Sequence, residues 1–389
     1  MRKAIISVIC TLTLLAYAIP YSYGQGTNIQ TGREETPKVI TTAVPFLIVA
    51  PDSRHGGMGE AGVALANDAT ATHWNPSALS FIDRQMGFSM SYSPWLRALG
   101  IPDINLMYLS GYLKTGETGT VGASLRYFSL GEIDFTNIQG DYTGTDKPNE
   151  LALDVAYSLK VSDQLSAAIS LRYLNSRLTS GSGPDETNRT VNSAAGDISL
   201  FYTKDFTISG ASDLPVQFSS GLHISNIGPK ISYSPTKDLR DFIPTNLRIG
   251  YAFKFFLDDY NSLTFTNDFN KLLVPSPRDS GVNVREIPLL EGVFSSFGDA
   301  DGGFGEELQE INISVGAEYW YRNLFAARAG FFYESPNKGN RRFITLGAGV
   351  KYNVFGLDFS YLAPIQQNHP LQNTLRFTLT YDFESAGNN

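Results

Sequence analysis

Apolar and polar residues alternate with a period of two in many segments of this chain, and each segment is about ten residues long. In residues 151–161, apolar side chains at every second position oppose a face that includes Asp154 and Lys160. The same pattern recurs in residues 247–257 and 311–319. A period of two places consecutive side chains on opposite faces of a β-strand. The segment length is also the length that a tilted strand needs to cross a bilayer.

The number of these segments predicts an all-β membrane protein, an antiparallel transmembrane β-barrel of about 14 strands. The predicted strands lie near residues 86–93, 104–114, 119–130, 149–161, 164–178, 194–207, 214–226, 243–257, 260–270, 309–321, 323–335, 340–352, 354–363 and 371–383. The connections alternate between long loops and short turns, although residues 336–339 are short where a long loop is expected. A large soluble β-sandwich is the alternative, but charged and small residues in mid-strand favour a barrel with a polar lumen.

The first 24 residues have the features of a secretory signal peptide. Arg2 and Lys3 precede a short apolar run, and the small residues Ser22 and Gly24 form a cleavage site. Cys10 is the single cysteine and lies in this segment, so we expect no disulfide and no thiolate site in the mature chain. The net charge of -8 argues against nucleic acid as a partner. We predict a signal peptide (1–24), an N-terminal segment with a lumenal plug (25–85), a barrel (86–384) and a C-terminal tail (385–389).

Residues 54–81, RHGGMGEAGVALANDATATHWNPSALSF, are rich in glycine and alanine and precede the first strand. A barrel of about 14 strands leaves a wide lumen, and glycine permits close packing and sharp turns. We therefore predict that this stretch folds inside the barrel as a plug. The predicted plug residues are Gly57, Gly59, Gly62, Asn67, Asp68, His73, Trp74, Asn75 and Pro76. Charged lumenal residues should bond to its backbone, and those we expect are Arg126, Asp154, Arg172, Asp197, Arg248, Lys254 and Glu318.

The spacing of small and turn residues in this stretch resembles that of the FadL-like superfamily of outer-membrane barrels. The matching residues are Gly59, Ala61, Gly62, Ala66, Asp68, Ala69, Ala71, Asn75, Pro76, Ala78 and Leu79. The longer block 45–113 more closely resembles the PorV family, also called LptO. These are FadL-like barrels of the type IX secretion system of Bacteroidetes.

The resemblance implies an outer-membrane protein of a Gram-negative, Bacteroidetes-type cell that is not an enzyme. It implies binding of translocated cargo, through the C-terminal domain of that cargo, at the translocon barrel. It also implies transfer of the cargo to a cell-surface sortase and attachment complex, and contact with outer-membrane lipid. Because the number of strands is even, both termini are expected in the periplasm. The alternative is a FadL-like transporter of a hydrophobic small molecule, but inward-facing Gly, Ser, Ala and charges favour secretion, since a transporter needs an apolar pocket.

No pattern of catalytic or metal-binding residues stands out in the sequence. The four histidines lack HExxH spacing and there is no GxSxG motif, so we expect no cofactor and no bound metal. The acidic loop 298–310 lacks the full spacing of a calcium loop, although it faintly resembles one.

Apolar residues on the predicted outer loops are candidate docking sites for a partner or cargo protein. They are Trp95, Leu96, Leu99, Ile101, Phe242, Ile243, Phe294, Phe297 and Phe304. For the loop at Trp95, an aromatic girdle at the membrane interface is an equal alternative. For the loop at Phe294, a solvated acidic loop is the alternative.

Overall fold

The computed structural model describes residues 38–65, 68–97, 100–101, 103–137, 139–178, 189–210, 213–233, 240–278, 283–366 and 371–383. Two of the predicted site residues, Asn67 and Leu99, lie outside the described residues, as do the predicted signal peptide and C-terminal tail. Across these ranges, no helix is long and apolar enough to span a membrane.

Fourteen antiparallel strands form a closed barrel, in which β1 pairs with β16 to complete the ring. In chain order, the strands are β1 (Met86–Pro94), β2 (Ile104–Lys114), β3 (Gly119–Leu130), β4 (Ile133–Thr136), β5 (Tyr142–Asp146), β6 (Asn149–Lys160), β7 (Leu165–Leu178), β8 (Arg189–Ile208), β9 (Leu214–Ile227), β10 (Asn246–Phe256), β11 (Asn261–Leu272), β12 (Ile311–Tyr321), β13 (Phe325–Tyr333), β14 (Arg342–Tyr352), β15 (Phe355–Pro364) and β16 (Thr374–Phe383). Strands β4 and β5 form a separate hairpin between β3 and β6. The predicted antiparallel barrel of 14 strands is confirmed.

Short helices occur before the first strand and in the connection between β11 and β12. Before β1 they are the 3₁₀ helix Pro45–Ile48, the α-helices Ser53–Gly56 and Ala71–Trp74, and the 3₁₀ helix Pro76–Phe81; in the connection they are the 3₁₀ helix Val284–Glu286 and the α-helices Leu289–Ser295 and Phe304–Gln309. The side chains of Asp52 and Asn75 cap two of these helices by accepting a backbone N–H. The sequence did not predict the helices between β11 and β12 or the hairpin β4–β5.

The two faces of the barrel wall differ sharply in polarity. In β6, Val155 is 60% exposed, whereas the adjacent Asp154 is 8% exposed. In β7, Leu171 is 74% exposed and Arg172 is 7% exposed. The apolar side chains therefore cover the outside of the barrel, and the polar and small ones line its lumen, as a wall in contact with lipid requires.

The connections separate the barrel into two unequal rims. The long-loop rim includes residues 95–103, 131–148, 228–245, 273–310, 334–341 and 365–373, and the short-turn rim includes residues 115–118, 161–164, 209–213, 257–260, 322–324 and 353–354. The predicted exception at 336–339 disappears because β13 ends at Tyr333 and β14 begins at Arg342, so this connection is longer than every short turn.

Residues 38–82, which we call the lumenal segment, run between the two rims. At the long-loop rim, Lys38 donates a hydrogen bond to Asp301 (3.1 Å) and the Ala43 N–H donates to the Phe242 carbonyl (2.8 Å). Ile82 lies near the start of β1, at the short-turn rim. Residue 38, the first described residue, thus lies at the long-loop rim, and β16 ends at the short-turn rim.

The apolar core of the molecule lies where the lumenal segment packs on the inside of the wall. Near the long-loop rim, Phe46 and Leu47 form a buried cluster with Leu106 and Phe128 of the wall. Further along the segment, Leu79 belongs to a second buried cluster, with Tyr112 and Phe201 as partners from the wall. The segment therefore supplies one side of each cluster and the barrel supplies the other.

The outward position of Leu171 leads to a prediction about stability in lipid. Leu171→Arg places a charge on the apolar wall in the middle of β7, and we expect it to lower the free energy of unfolding by roughly 2–4 kcal/mol. Urea unfolding of the barrel in lipid vesicles measures this. The control, Glu117→Arg in an exposed short turn, should leave the unfolding midpoint unchanged, and an equal loss in both variants would contradict the assignment of the lipid-facing side.

Candidate functional site

Side chains of the wall satisfy backbone groups of the lumenal segment. The Gly59 N–H donates to Oγ1 of Thr345 at 2.8 Å. The N–H groups of Gly62 and Val63 both donate to Oδ2 of Asp268, at 2.7 and 2.9 Å. These donors have no partner within the segment itself, so the wall provides the acceptors that buried N–H groups require.

Serine side chains of the wall hold the segment at Ser77, on the other side of the barrel. The Ser77 N–H donates to Oγ of Ser199 at 3.1 Å. The Ser77 carbonyl accepts from the hydroxyl groups of Ser158 (2.9 Å) and Ser166 (2.7 Å). Strands β6, β7 and β8 therefore meet at one residue of the segment.

A buried chain of alternating charges links the segment to three strands. Arg54 donates to Asp68 within the segment (3.1 Å) and to both carboxylate oxygens of Glu318 in β12 (2.9 and 3.0 Å). Glu318 also accepts from Arg328 (2.7 Å), which in turn donates to Asp358 (2.6 Å). All five side chains are buried, so each charge depends on its neighbours for the solvation that it loses.

The indole of Trp74 lies at the centre of the segment. Its Nε1–H donates to Oδ2 of Asp52 at 2.6 Å, and the guanidinium of Arg248 lies 4.7 Å from the ring centroid. A Cβ on Gly62 would lie 2.5 Å from the Trp74 ring. Only glycine therefore fits at position 62 against this ring.

Gly59 is required for two independent reasons. Its φ of 68° lies in the left-handed region, which side-chain-bearing residues rarely adopt. A Cβ at this position would also lie 2.6 Å from the backbone of Phe331 in β13. The glycine-rich stretch thus lets the segment pass directly against the wall.

The predicted lumenal charges behave in different ways. Arg126 donates to the carbonyls of Phe46 (2.9 Å) and Leu47 (2.5 Å), and this is the backbone contact that the sequence predicts. In contrast, Arg172 pairs with Asp154 and Asp197 within the wall. Several wall residues that contact the segment could not be identified from the sequence, because inward-facing small polar residues occur throughout the strands and nothing marks the ones that bind the segment. These residues are Asp268, Thr345, Ser158, Ser166 and Ser199.

The connection between β11 and β12 carries a group of exposed apolar side chains, which we call the apolar loop patch. Phe304 is 78% exposed and Phe294 is 73% exposed. The complete patch comprises Leu290, Phe294, Phe297, Phe304 and Leu308. The two α-helices of this connection carry four of these side chains, and Phe297 follows the first of the two helices.

Ion pairs anchor the helix Phe304–Gln309 of this connection to the rim. Lys271 donates to Glu307 (3.1 Å) and Glu310 (2.6 Å), and Lys338 donates to Glu306 (2.6 Å) and Glu310 (2.9 Å). Burial alone would lower the pKa of Lys338, but its hydrogen bonds with the two carboxylates outweigh burial and raise the pKa. The ion pairs of Lys338 therefore stabilise the folded protein fully at pH values below the ordinary pKa of lysine. This stabilisation is lost only as the pH rises through the raised pKa of Lys338. Lys338 is therefore charged at physiological pH.

The prediction that Phe242 and Ile243 form an exposed docking site is wrong. Phe242 is 2% exposed and Ile243 is 1% exposed. In the described part of the connection between β9 and β10, Ile231 and Ile243 join a buried cluster with Phe46 of the lumenal segment. A Cβ on Gly292 would lie 2.5 Å from the Phe242 ring, so Phe242 supports the loop that carries the apolar loop patch.

The first connection, between β1 and β2, is only partly exposed. Trp95 and Leu96 pack against the buried cluster, and the Trp95 ring lies edge-on to Phe128 with centroids 5.8 Å apart. Ile101 is 38% exposed. Of the predicted docking residues that the structure describes, Phe294, Phe297 and Phe304 are therefore the most exposed, and all three lie in the connection between β11 and β12. In the described parts of the chain, no group of three or more His, Asp or Glu residues is placed to hold a metal ion.

Arg54 provides a test of the link between the segment and the wall. Arg54→Met leaves Asp68 without its ion pair and removes one of the two arginine partners of Glu318, so we expect a loss of about 3–5 kcal/mol in the free energy of unfolding. Urea unfolding in detergent micelles measures it. Lys147→Met, which breaks an exposed ion pair with Glu132, is the control and should change little. Equal stability of the two variants would contradict a role of Arg54 in holding the segment.

Several solved structures have a similar fold. The Pseudomonas putida toluene transporter TodX has 12% sequence identity and a TM-score of 0.48, and the similarity covers 89% of this chain and 99% of that one. The CymD monoaromatic hydrocarbon channel has 14% identity and a TM-score of 0.49, covering 87% and 98%. The Ralstonia pickettii toluene transporter TbuX has 13% identity and a TM-score of 0.46, covering 86% and 98%. A comparison with curated protein sequences returned no match.

The sequence profile of one protein family matches residues 32–279, which is more than half of the chain. The family is described as type IX secretion system protein PorV. The matched region includes the whole lumenal segment and the strands β1–β11. The closed barrel with an apolar outer wall and the family together place the protein in the outer membrane as a component of type IX secretion. This chain belongs to the PorV family.

Proposed function

We propose that this barrel is a docking and shuttle component of type IX secretion. It binds translocated cargo, through the C-terminal domain of the cargo, at the translocon barrel and delivers it to the surface sortase and attachment complex. The observation that carries the proposal is the apolar loop patch, because Phe294 and Phe304 are more than 70% exposed on a loop that ion pairs hold in place.

The physical basis of docking is the cost of leaving this patch in water. Aromatic side chains that are exposed together on a rim favour burial against a partner, and such residues contribute much of the binding energy at protein interfaces. The ion pairs of Lys271 and Lys338 fix the helix Phe304–Gln309 before binding. Little conformational entropy is then lost when a partner binds.

The lumenal segment supports docking rather than conduction. It forms buried contacts with β3, β6–β8, β11, β12 and β14–β16, so its position is fixed all around the barrel. We propose that it acts as a plug that closes the lumen. Cargo would then use the rim of this barrel and would not pass through it. We further propose that the long-loop rim faces the cell surface, where the attachment complex is found.

Removal of the aromatic patch tests the docking proposal. In the native outer membrane, mild-detergent purification of the full-length protein should recover the translocon barrel and cargo proteins that retain their C-terminal domains. Phe294→Ser combined with Phe304→Ser should lower this recovery about tenfold or more, because each truncation of an interface anchor costs on the order of 2 kcal/mol. Quantitative mass spectrometry of the purified material measures the change.

A matched control comes from another exposed aromatic on the same rim. Tyr142 is 65% exposed on the β4–β5 hairpin, away from the apolar loop patch, and Tyr142→Ser should leave recovery unchanged. Heat-modifiable migration of each variant confirms that the barrel is folded. Normal recovery of partners with the Phe294/Phe304 double variant would refute the patch as the docking site. Recovery of the barrel alone with a bound hydrophobic molecule would favour the alternative function, transport of such a molecule.

Closure of the lumen is tested by ion conductance. In planar lipid bilayers, we expect the complete protein to show almost no stable current, because the segment occupies the lumen. Removal of residues 38–82 should open a channel, since a barrel of about 14 strands leaves an aqueous lumen when it is not filled. Large steady currents through the complete protein would contradict the plug, whatever the truncated form does.

A further inference from the structure

The helix Leu289–Ser295, which carries Phe294 of the apolar loop patch, rests on the molecule at one residue. Gly292 is the only buried residue of this helix. A Cβ on Gly292 would lie 2.5 Å from the ring of Phe242 and 3.0 Å from Pro275, so both side chains pack directly against the helix backbone. The ion pairs of the rim belong to the next helix along the chain. The position of Phe294 therefore depends on the packing around Gly292.

The connection between β9 and β10 also binds the chain that leads into this helix. Lys230 Nζ donates to the carbonyls of Arg285 (2.6 Å) and Ile287 (2.9 Å). Arg285 Nε in turn donates to Oδ1 of Asp241 at 2.6 Å. The Lys230 ammonium lies over the ring of Phe242, 4.6 Å from its centroid. The described part of the β9–β10 connection thus holds both the helix and its entry.

The lumenal segment stabilises this part of the β9–β10 connection from the inside of the barrel. The Ala43 N–H donates to the Phe242 carbonyl at 2.8 Å. Ile231 and Ile243 lie in the buried cluster to which Val44 of the segment belongs. If the segment left its place, both isoleucines would be exposed to water and the Phe242 carbonyl would lose its partner. The connection is therefore stable in this position because the segment covers it.

A second contact joins the start of the described segment to the turn before the helix Phe304–Gln309. Lys38 and Asp301 form an ion pair at 3.1 Å, and the exposed fractions of their side chains are 25% and 31%. Ion pairs that are partly exposed to solvent contribute little to stability. The buried packing at Phe242 is therefore the stronger of the two links between the segment and the apolar loop patch.

We propose that Phe242 is a positioning residue of the docking surface, through which the seated lumenal segment holds the helix Leu289–Ser295 and presents Phe294. The proposal rests on the proposed function as far as it concerns docking at the apolar loop patch. A barrel whose segment has left its place binds a partner less well, because the helix must be ordered again on binding. Linkage is reciprocal, so a partner on the patch also stabilises the seated segment. Docking thus favours barrels whose lumen is filled.

The distance between two spin labels tests this link without any partner protein. Cys10, the single cysteine, lies in the predicted signal peptide, so introduced cysteines can be labelled specifically. Glu291→Cys places one label on the helix and Asp163→Cys places the other in an exposed short turn. In lipid nanodiscs, pulsed electron paramagnetic resonance should give one narrow distance distribution. Phe242→Ala should broaden it about twofold, since the helix loses its buried contact, and Phe242→Met, which restores most of the apolar volume, should keep it narrow.

Val44→Asp tests the part that the segment plays in the link. This variant places an unpaired charge at a fully buried position beside Ile243, so the end of the segment should leave its place. Faster hydrogen exchange of residues 43–47 confirms the release. The distance distribution should then broaden as it does in Phe242→Ala, although the helix itself and Phe242 are unchanged.

Phe201→Ala is the matched control, because it removes a buried ring that packs against Phe81 at the other end of the segment. It should lower the midpoint of urea unfolding and leave the label distances unchanged. A narrow distribution in Phe242→Ala, a narrow distribution in Val44→Asp despite released residues 43–47, or equal broadening in Phe201→Ala would overturn the proposal. Since no partner is present, failure of the docking proposal would leave these distances unaffected.

Discussion

The ion pairs between Arg54 of the lumenal segment and Glu318 of the wall represent the constraint on which the rest of the structure depends. Fourteen strands enclose a space that the side chains of the wall alone do not fill. The outer face of the wall must be apolar in lipid, so the charged residues of the strands lie on its inner face. These inner charges need partners inside the barrel, and the segment brings Arg54, together with the N–H groups of Gly62 and Val63, to meet them.

The dependence between the segment and the wall is mutual. A chain of small residues such as residues 56–62 buries little apolar surface by itself, so it has no reason to fold alone. The hydroxyl of Thr345 and the carboxylate of Asp268 fix its backbone from outside. Without the segment, those same wall groups would face an aqueous lumen. The segment thus takes its hydrogen-bond partners from the wall, and the inner groups of the wall take theirs from the segment, so the contacts surround the segment on nearly all sides.

Strands and their faces could be predicted from the sequence because alternation is a local property. In residues 151–161, the identity of each residue determines whether it faces lipid or lumen, and the number of strands follows by counting. Contacts such as Ser77 with Ser158 and Ser166 could not be predicted, since they join residues about 80–90 positions apart in sequence. Phe242 and Ile243 were misjudged for the same reason: an apolar residue in a loop does not reveal whether the loop folds inward or outward.

The two rims divide the molecule into a structural side and a side that is free to carry function. Each short turn is only long enough to reverse the chain, as at residues 353–354, and leaves no room for a binding surface. On the long-loop rim, the helix Phe304–Gln309 and the adjoining Glu310 pair with Lys271 and Lys338, and Phe304 at the start of this helix is exposed. Phe294, on the preceding helix Leu289–Ser295, is exposed as well. The ion pairs thus hold the helix that begins at Phe304 on the barrel, so polar contacts of the barrel fix one part of the exposed apolar surface to which we propose that a partner binds.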